Sequence, residues 1–442
     1  MRTVTTAEAI TCAIDALHHE RLAILCGAGL SMGWPSCLPS AANLAADAKA
    51  KYDAMYGASR PPLPAGIEDQ AEYFFNRGEL GTIYLRTFID KDAFAGRPNP
   101  GHDAIADLLL VRGIQTAIST NVDTMIETAG QMLFGQIGVG YDQASVAQCQ
   151  PDVSPLLKVH GCWTQDQANT VWAPSQLNAE PVMSRVTSSA NWMNVRLQDR
   201  DLIIVGFFTD WDYINNVLAQ TLGNVRPARV IVVDPSAGPA LQAKAPALYD
   251  LLDGITDEFL HVAVSGADFL EALRLEFSRS FVRRVIHAGA QAFEDATGNP
   301  PDPTWLEPPA ADNETYWRMR RDLEGRRPNQ PSSRRAPNDE PAVGLTLLQM
   351  RARGATNDGD HWLINGIRVR VLRAANQLLH QVEAAHARGR PPVVAPDLTI
   401  AVGAEATSLP ANILRSSPSG SIVRGGANRW LTRGEAVQEL GL

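Results

Sequence analysis

The chain has 442 residues, is 45% apolar and 20% charged, and carries a net charge of −9. That composition is ordinary for a globular protein and excludes disorder of the whole chain, and the length accommodates two or three domains. The acidity is uneven: residues 1–300 hold 21 Lys and Arg against 33 Asp and Glu, residues 301–442 hold 18 against 15, and all 18 are arginine. An acidic body argues against a general nucleic-acid-binding protein, although the arginine-bearing tail could still touch a phosphate backbone or an acidic partner, and nucleic acid is otherwise expected only indirectly, through a partner. The densest apolar run, residues 202–208, falls far short of the roughly 20 residues a bilayer requires. Residues 1–10 have no apolar core of signal-peptide length, so the expected location is cytoplasmic, with no membrane contact. The five cysteines, Cys12, Cys26, Cys37, Cys149 and Cys162, are scattered without a C-x-x-C pair. They are expected to be buried free thiols, with neither a disulfide framework nor a zinc ribbon.

Strand and helix signals alternate over the first 285 residues. Short apolar runs at 22–26, 114–118, 156–159, 202–205 and 230–233 read as buried strands of the parallel kind. Helical patterns fall at 7–17, 104–110, 124–133 and 213–222. This alternation predicts an α/β fold, a Rossmann-like parallel sheet. Residues 40–100 read as a helical lobe inserted after the first strand.

The pattern changes beyond 285. Residues 286–342, rich in Pro, Asn, Ser and Arg, read as a linker or extended segment, with a short helix around 314–323. Residues 343–442 read as a small α+β module of unknown role. Its hairpin centres on Asn365-Gly366, a helix follows at 374–385, and Thr432 with Glu435 forms a capping box.

Three clusters carry chemistry. Gly27-Ala28-Gly29-Leu30-Ser31 follows the first strand; small residues there let backbone amides approach a pyrophosphate. A tight strand-to-helix turn without ligand accounts for the same residues equally well. Ser119-Thr120-Asn121-Val122-Asp123 ends the second strand, where polar side chains face a ligand crevice; one of them is also suited to cap the next helix. His160-Gly161 ends the third, where an imidazole can serve as a general base or merely satisfy the backbone.

The order of these pieces is more telling than any one. G-A-G-x-S, then Pro98-Asn99 and His102, then T-N-x-D, then H-G, then Val205-Gly206 and Val233-Asp234 resembles the sirtuin (Sir2-type) family over roughly residues 7–285. The resemblance implies a domain that binds NAD. It places Gly27, Ala28, Gly29 and Ser31 at the pyrophosphate and its neighbouring ribose, with Thr120 beside the site. Asn121 and Asp123 would line the nicotinamide-ribose pocket, His160 would be the catalytic base, Gly206 would lie near the adenosine and Asp234 would meet its ribose. His102 would support the fold.

Departures set the subtype. Protein-deacylating sirtuins carry two C-x-x-C zinc pairs after the H-G motif, whereas residues 162–205 hold only Cys162, so no metal is expected. Met32-Gly33-Trp34-Pro35-Ser36 replaces the usual G-I-P-D-F-R. Phe208 stands where a hydroxyl is expected, followed by Asp210 and Asp212. The set resembles the zinc-free sirtuin-like effectors of bacterial antiphage defence. By that resemblance the expected activity is NAD+ hydrolysis at the nicotinamide N-glycosidic bond, with Asn121 orienting ribose and water, His160 taking a proton and Asp123 favouring the cationic transition state. A cyclised product is compatible with the same chemistry. Restraint is expected through a homo-oligomer or a partner such as a HerA-type ATPase or a short Argonaute. An NAD-dependent protein deacylase and a non-catalytic NAD- or ADP-ribose-sensing module are the alternatives.

Overall fold

A computed structural model describes residues 1–149, 153–208, 215, 226–325, 339–374, 376–387, 394–406 and 429–442. These residues form two compact units, Met1–Leu273 and Arg274–Leu442.

The first unit is built on an eight-stranded sheet in which every pair is parallel. Its strands are β1 (Arg2–Thr3), β2 (Leu22–Cys26), β3 (Thr116–Ser119), β4 (Gly138–Gly140), β5 (Pro155–Lys158), β6 (Asp201–Val205), β7 (Arg229–Val233) and β8 (Phe259–Val262), in the order β1-β8-β7-β6-β2-β3-β5-β4. Helices α1 (Thr6–His18), α2 (Ala41–Tyr56), α3 (Ile67–Phe75), α4 (Pro100–Leu110) and α5 (Met125–Met132) belong to its amino-terminal half. Every residue of β2, β3, β5 and β6 is buried, which explains why their runs are apolar rather than alternating. Chain progression runs one way from β2 through β3 and the other way from β6 through β7, so the topological switch point lies between β2 and β6. Register then aligns the strand ends. Cys26 pairs with both Ser119 and Val205, and Ser119 pairs with Lys158. Gly27, Thr120, Val159 and Gly206 therefore leave the sheet side by side.

The five predicted strands are all present, within two residues at each end. The sheet also contains β1, β4 and β8, which the sequence reading did not find. β4 is Gly-Val-Gly and β1 has two residues, too short for any period. β8 interrupts its apolar run with His261, whose imidazole is bonded to the Asp234 carbonyl oxygen at 3.2 Å. Between β2 and β3, α2, α3 and a π-helical segment, Leu80–Phe88, form the expected helical lobe around Tyr52, Phe74, Tyr84 and Phe88. Residues 213–222, expected as a helix, lie outside the described residues apart from Asn215, as do Asp210 and Asp212.

The second unit contains a mixed sheet of β9 (Thr356–Asp358), β10 (His361–Ile364), β11 (Ile367–Arg373), β12 (Leu398–Val402) and β13 (Arg429–Thr432), ordered β13-β12-β11-β10-β9. Ile364 pairs with Ile367 across Asn365 and Gly366, whose φ angles of +52° and +79° make the type I′ turn that this dipeptide predicts. Thr432 and Glu435 form the expected capping box, and the helix expected at 374–385 spans Leu379–His386.

The stretch expected as a linker has the helix expected around 314–323, as Asn313–Glu324, but is otherwise more folded than that reading. It holds helices Ala290–Thr297, Pro303–Leu306 and Asn313–Glu324, and Phe293, Tyr316, Met319 and Leu323 pack into the same core as Leu347, Trp362 and Ile400. Three of its Pro and Asp residues start helices: Asp302 caps a helix with Pro303 in the first turn, and Asp312 caps the next. The unit boundary accordingly falls after Leu273 rather than near 285. Residues 326–338 lie outside the described set.

Among the thiols, Cys26 and Cys162 are buried as expected, Cys12 and Cys149 are half-buried, and Cys37 is exposed. Among the described residues no helix is long and apolar enough to cross a membrane.

Candidate functional site

The site centres on Ser31, which lies just beyond β2 and is almost fully buried. A hydroxyl has one proton and two lone pairs, and all three are committed here. Ser31 Oγ donates to Asp123 Oδ2 at 2.8 Å. It accepts from Asn121 Nδ2 at 3.0 Å and lies 3.1 Å from His102 Nε2. The tautomer of His102 follows from its other nitrogen. Asn99 N–H donates to Nδ1 at 3.1 Å, so the ring proton sits on Nε2 and points at Ser31. Burial lowers the His102 pKa to about 4 against the opposing pull of Asp123, which keeps the ring neutral and in this tautomer at neutral pH.

Asn99 and His102 form the amino-terminal capping box of α4, with histidine in the place usually taken by Glu or Gln. The Asn99 amide also reaches back to the Leu30 carbonyl at 2.6 Å. One motif thus starts a helix and ties it to Leu30 and Ser31 in the loop after β2.

Asp123 divides its oxygens. Oδ1 accepts from the Met125 backbone amide at 3.0 Å and starts α5, while Oδ2 holds Ser31. The cap position of α5 itself is Thr124, whose side chain makes no capping bond, so Asp123 braces the turn one residue before the cap. Asn121 caps nothing. Its amide nitrogen faces Ser31, and its buried Oδ1 accepts no hydrogen bond from any described residue.

His160 follows β5, next to β3 in the sheet, and its ring is hydrogen-bonded to the backbone of Thr120, the neighbour of Asn121. Burial pushes its pKa down to about 3, with the Arg185 guanidinium adding to the effect. At neutral pH the ring is uncharged.

The glycines serve packing first. Gly206 has φ +59°, and a Cβ there would sit 2.3 Å from Leu30 N. A Cβ on Gly29 would lie 2.9 Å from Gly206 Cα, and one on Gly27 would lie 2.6 Å from Phe207 Cβ. Gly29 N–H donates to the Gly206 carbonyl at 2.9 Å, and Gly27, Leu30 and Ser31 also commit their amides within the protein. Ala28, exposed at the tip, is the residue whose amide stands outside this set. Thr120 turns inward, its Oγ1 3.4 Å from the Cys26 carbonyl.

Asp234 stands apart. It ends β7, two strands from β2, and its carboxylate accepts from Ser236 N at 2.8 Å and pairs with Lys244 Nζ at 3.2 Å. Burial works against the charge, but these partners outweigh it and lower the pKa.

Sequence reasoning missed Lys158. Almost fully buried at the end of β5, its ammonium donates to the Asp123 carbonyl and to Glu127 Oε1, the latter at 2.9 Å. A lysine inside an otherwise apolar strand was the available signal, since a buried cation requires an acceptor. Despite the cost of burial, Glu127 raises its pKa and keeps it charged.

No protein-family model matches the chain, and no curated protein does. Among solved structures it is similar to a Sir2 enzyme described under the mechanism and regulation of Sir2 enzymes, at 15% identity and TM-score 0.31, over 62% of this chain and 98% of that one. It is similar to a Sir2 homolog–NAD complex at 14% and 0.34, over 63% and 97%, and to a Sir2–p53 peptide–NAD+ complex at 13% and 0.33, over 60% and 96%.

Proposed function

We propose that the first unit cleaves the nicotinamide N-glycosidic bond of NAD+, releasing nicotinamide and ADP-ribose. The observation that carries this reading is the fixed orientation of Asn121. The single proton of Ser31 goes to Asp123, so Ser31 must receive the Asn121 NH2, and the buried carbonyl of that amide is left as an unmatched acceptor. A ribose hydroxyl supplies the donor it requires, and a buried unmatched acceptor otherwise costs about 1–3 kcal/mol.

On this reading Asn121 touches the ribose and orients the attacking water, and neutral His160 accepts from a ribose hydroxyl or from that water. Departure of nicotinamide develops positive charge on the sugar. Asp123 acts through Ser31 as a positioning residue, and its carboxylate adds a field that favours that charge. The pyrophosphate would lie over Ala28 and the Gly27–Gly29 turn, and the adenosine end toward Gly206 and Asp234. The setting proposed with this activity is antiphage defence, held in check by self-assembly or by a HerA-type ATPase or short Argonaute.

Incubation with NAD+ and an acetylated peptide, alone and with proteins encoded beside it, tests the reading. Nicotinamide and ADP-ribose are the expected products, absent with Asn121→Ala. O-acetyl-ADP-ribose would identify a deacylase instead, and intact NAD+ under every condition would leave only the sensing module.

A further inference from the structure

The second unit has a cavity of about 290 Å³ lined by Trp305, Pro308, Pro309, Arg351, Asn357 and Trp362, among others. The size lies near the lower end for small-molecule sites, about 300 Å³. Its walls are firm. The edge of Trp305 packs on Phe293 with ring centroids 6.0 Å apart, and Tyr316 bonds the Pro309 carbonyl.

Arg351 lies 5.0 Å over the Trp362 ring. Its Nη1 donates to the Trp305 and Glu307 carbonyls. Among the described residues no carboxylate pairs with it, and the Glu307 carboxylate is engaged by Arg283 at 3.0 Å. Burial of this unbalanced guanidinium lowers its pKa. Asn357 belongs to the same lining, and its buried Oδ1 accepts no hydrogen bond from any described residue. The cavity thus offers a Trp305 and proline wall, one guanidinium without a carboxylate partner and one unmatched acceptor, and Glu307, whose carboxylate Arg283 holds, also belongs to its lining.

We infer that this cavity binds a small planar aromatic anion that also carries a hydrogen-bond donor. The ring would lie against Trp305 and the prolines, the anion would meet Arg351, and the donor would meet Asn357. A hydroxylated aromatic carboxylate and a nucleoside monophosphate both have this chemistry. The inference is independent of the reading of the first unit.

Tryptophan emission of the full chain, titrated with 4-hydroxybenzoate and separately with adenosine monophosphate, tests it. At least one is expected to give a saturable change, and the arm that responds identifies the source. Phenol, adenosine and inorganic phosphate are expected to bind at least about tenfold more weakly, the worth of one charged hydrogen bond. Asn357→Ala and Arg351→Gln should each weaken binding by about the same factor, whereas Asn121→Ala should not. If Arg351→Gln unfolds, Asn357→Ala carries the test, with its melting curve as control. No saturable change in either arm, equal binding of the uncharged compounds, or affinity unaltered in a folded Asn357→Ala chain would overturn the inference.

Discussion

The proton of Ser31 lies on the 2.8 Å bond to Asp123, and this one assignment fixes the amide of Asn121, since a hydroxyl that has spent its proton can only accept. Asn121→Ala removes the acceptor itself and should lower turnover of NAD+ by about 10²–10³-fold, as loss of a preorganised polar group does. Asn121→Asp is the sharper probe. It keeps an acceptor but presents Ser31 with an oxygen where it needs a donor. Comparable loss of nicotinamide release in both variants, with melting temperatures recorded alongside, is the expected result.

Ser31→Ala should act more broadly. It strands the Asp123 carboxylate oxygen, the His102 N–H and the Asn121 NH2 together, all within a buried cluster. Each stranded group costs about 1–3 kcal/mol. The unfolding midpoint in urea should therefore drop along with activity.

His102 and His160 make stability depend on pH in one direction. Their folded pKa values, about 4 and about 3, lie below the ordinary imidazole value of 6.5. Between those values the unfolded chain binds protons that the folded rings refuse. The contribution is thus fully present above about pH 6.5 and is lost as pH falls toward 4 and 3, at up to about 1.4 kcal/mol per unit for each ring. Thermal unfolding from pH 7.5 to 4.5 should show this slope, and His160→Gln should reduce it. In the unliganded protein neither ring titrates near neutrality, so kcat/KM for NAD+ between pH 6 and 8 should show no inflection from His160.

The sheet was legible where burial on both faces wrote itself as apolar runs, as at 22–26 and 202–205. It was illegible where strands are two or three residues long, as in β1 and β4, because pairing with longer neighbours defines them. The separate motifs at Ser31, Asn121, Asp123 and His160 were each visible, but their wiring was not. That Ser31 belongs with Asn121 and Asp123 depends on the register that sets Cys26 abreast of Ser119. Lys158 was hidden because its partners, the Asp123 carbonyl and Glu127, lie more than 30 positions away.

Lys158 offers a test of that hidden wiring. Lys158→Ala removes the cation from a buried pair and leaves Glu127 and the Asp123 carbonyl without their donor. Breaking a buried pair from one side costs about 3–5 kcal/mol. Replacing both members, Lys158→Met with Glu127→Gln, should recover much of the loss. Chemical denaturation of the single and double variants measures it; equal stability of Lys158→Ala and wild type would show the pair to be idle.

The glycines after β2 and β6 separate packing from ligand contact. Gly29→Ala and Gly206→Ala both force a Cβ into the opposing loop, and Gly206 also needs a left-handed backbone. Both should lower stability with no NAD+ present, Gly206→Ala by more than the roughly 1–3 kcal/mol of backbone strain alone, since its Cβ would meet the Leu30 amide nitrogen. Ala28 behaves oppositely. It is exposed, so Ala28→Val should leave melting nearly unchanged, within about 0.5 kcal/mol. If a dinucleotide crosses this tip, the added bulk should raise KM for NAD+ while the apo protein melts normally. A Gly29→Ala chain as stable as wild type would mean that the glycine is kept for a ligand rather than for the neighbouring strand end.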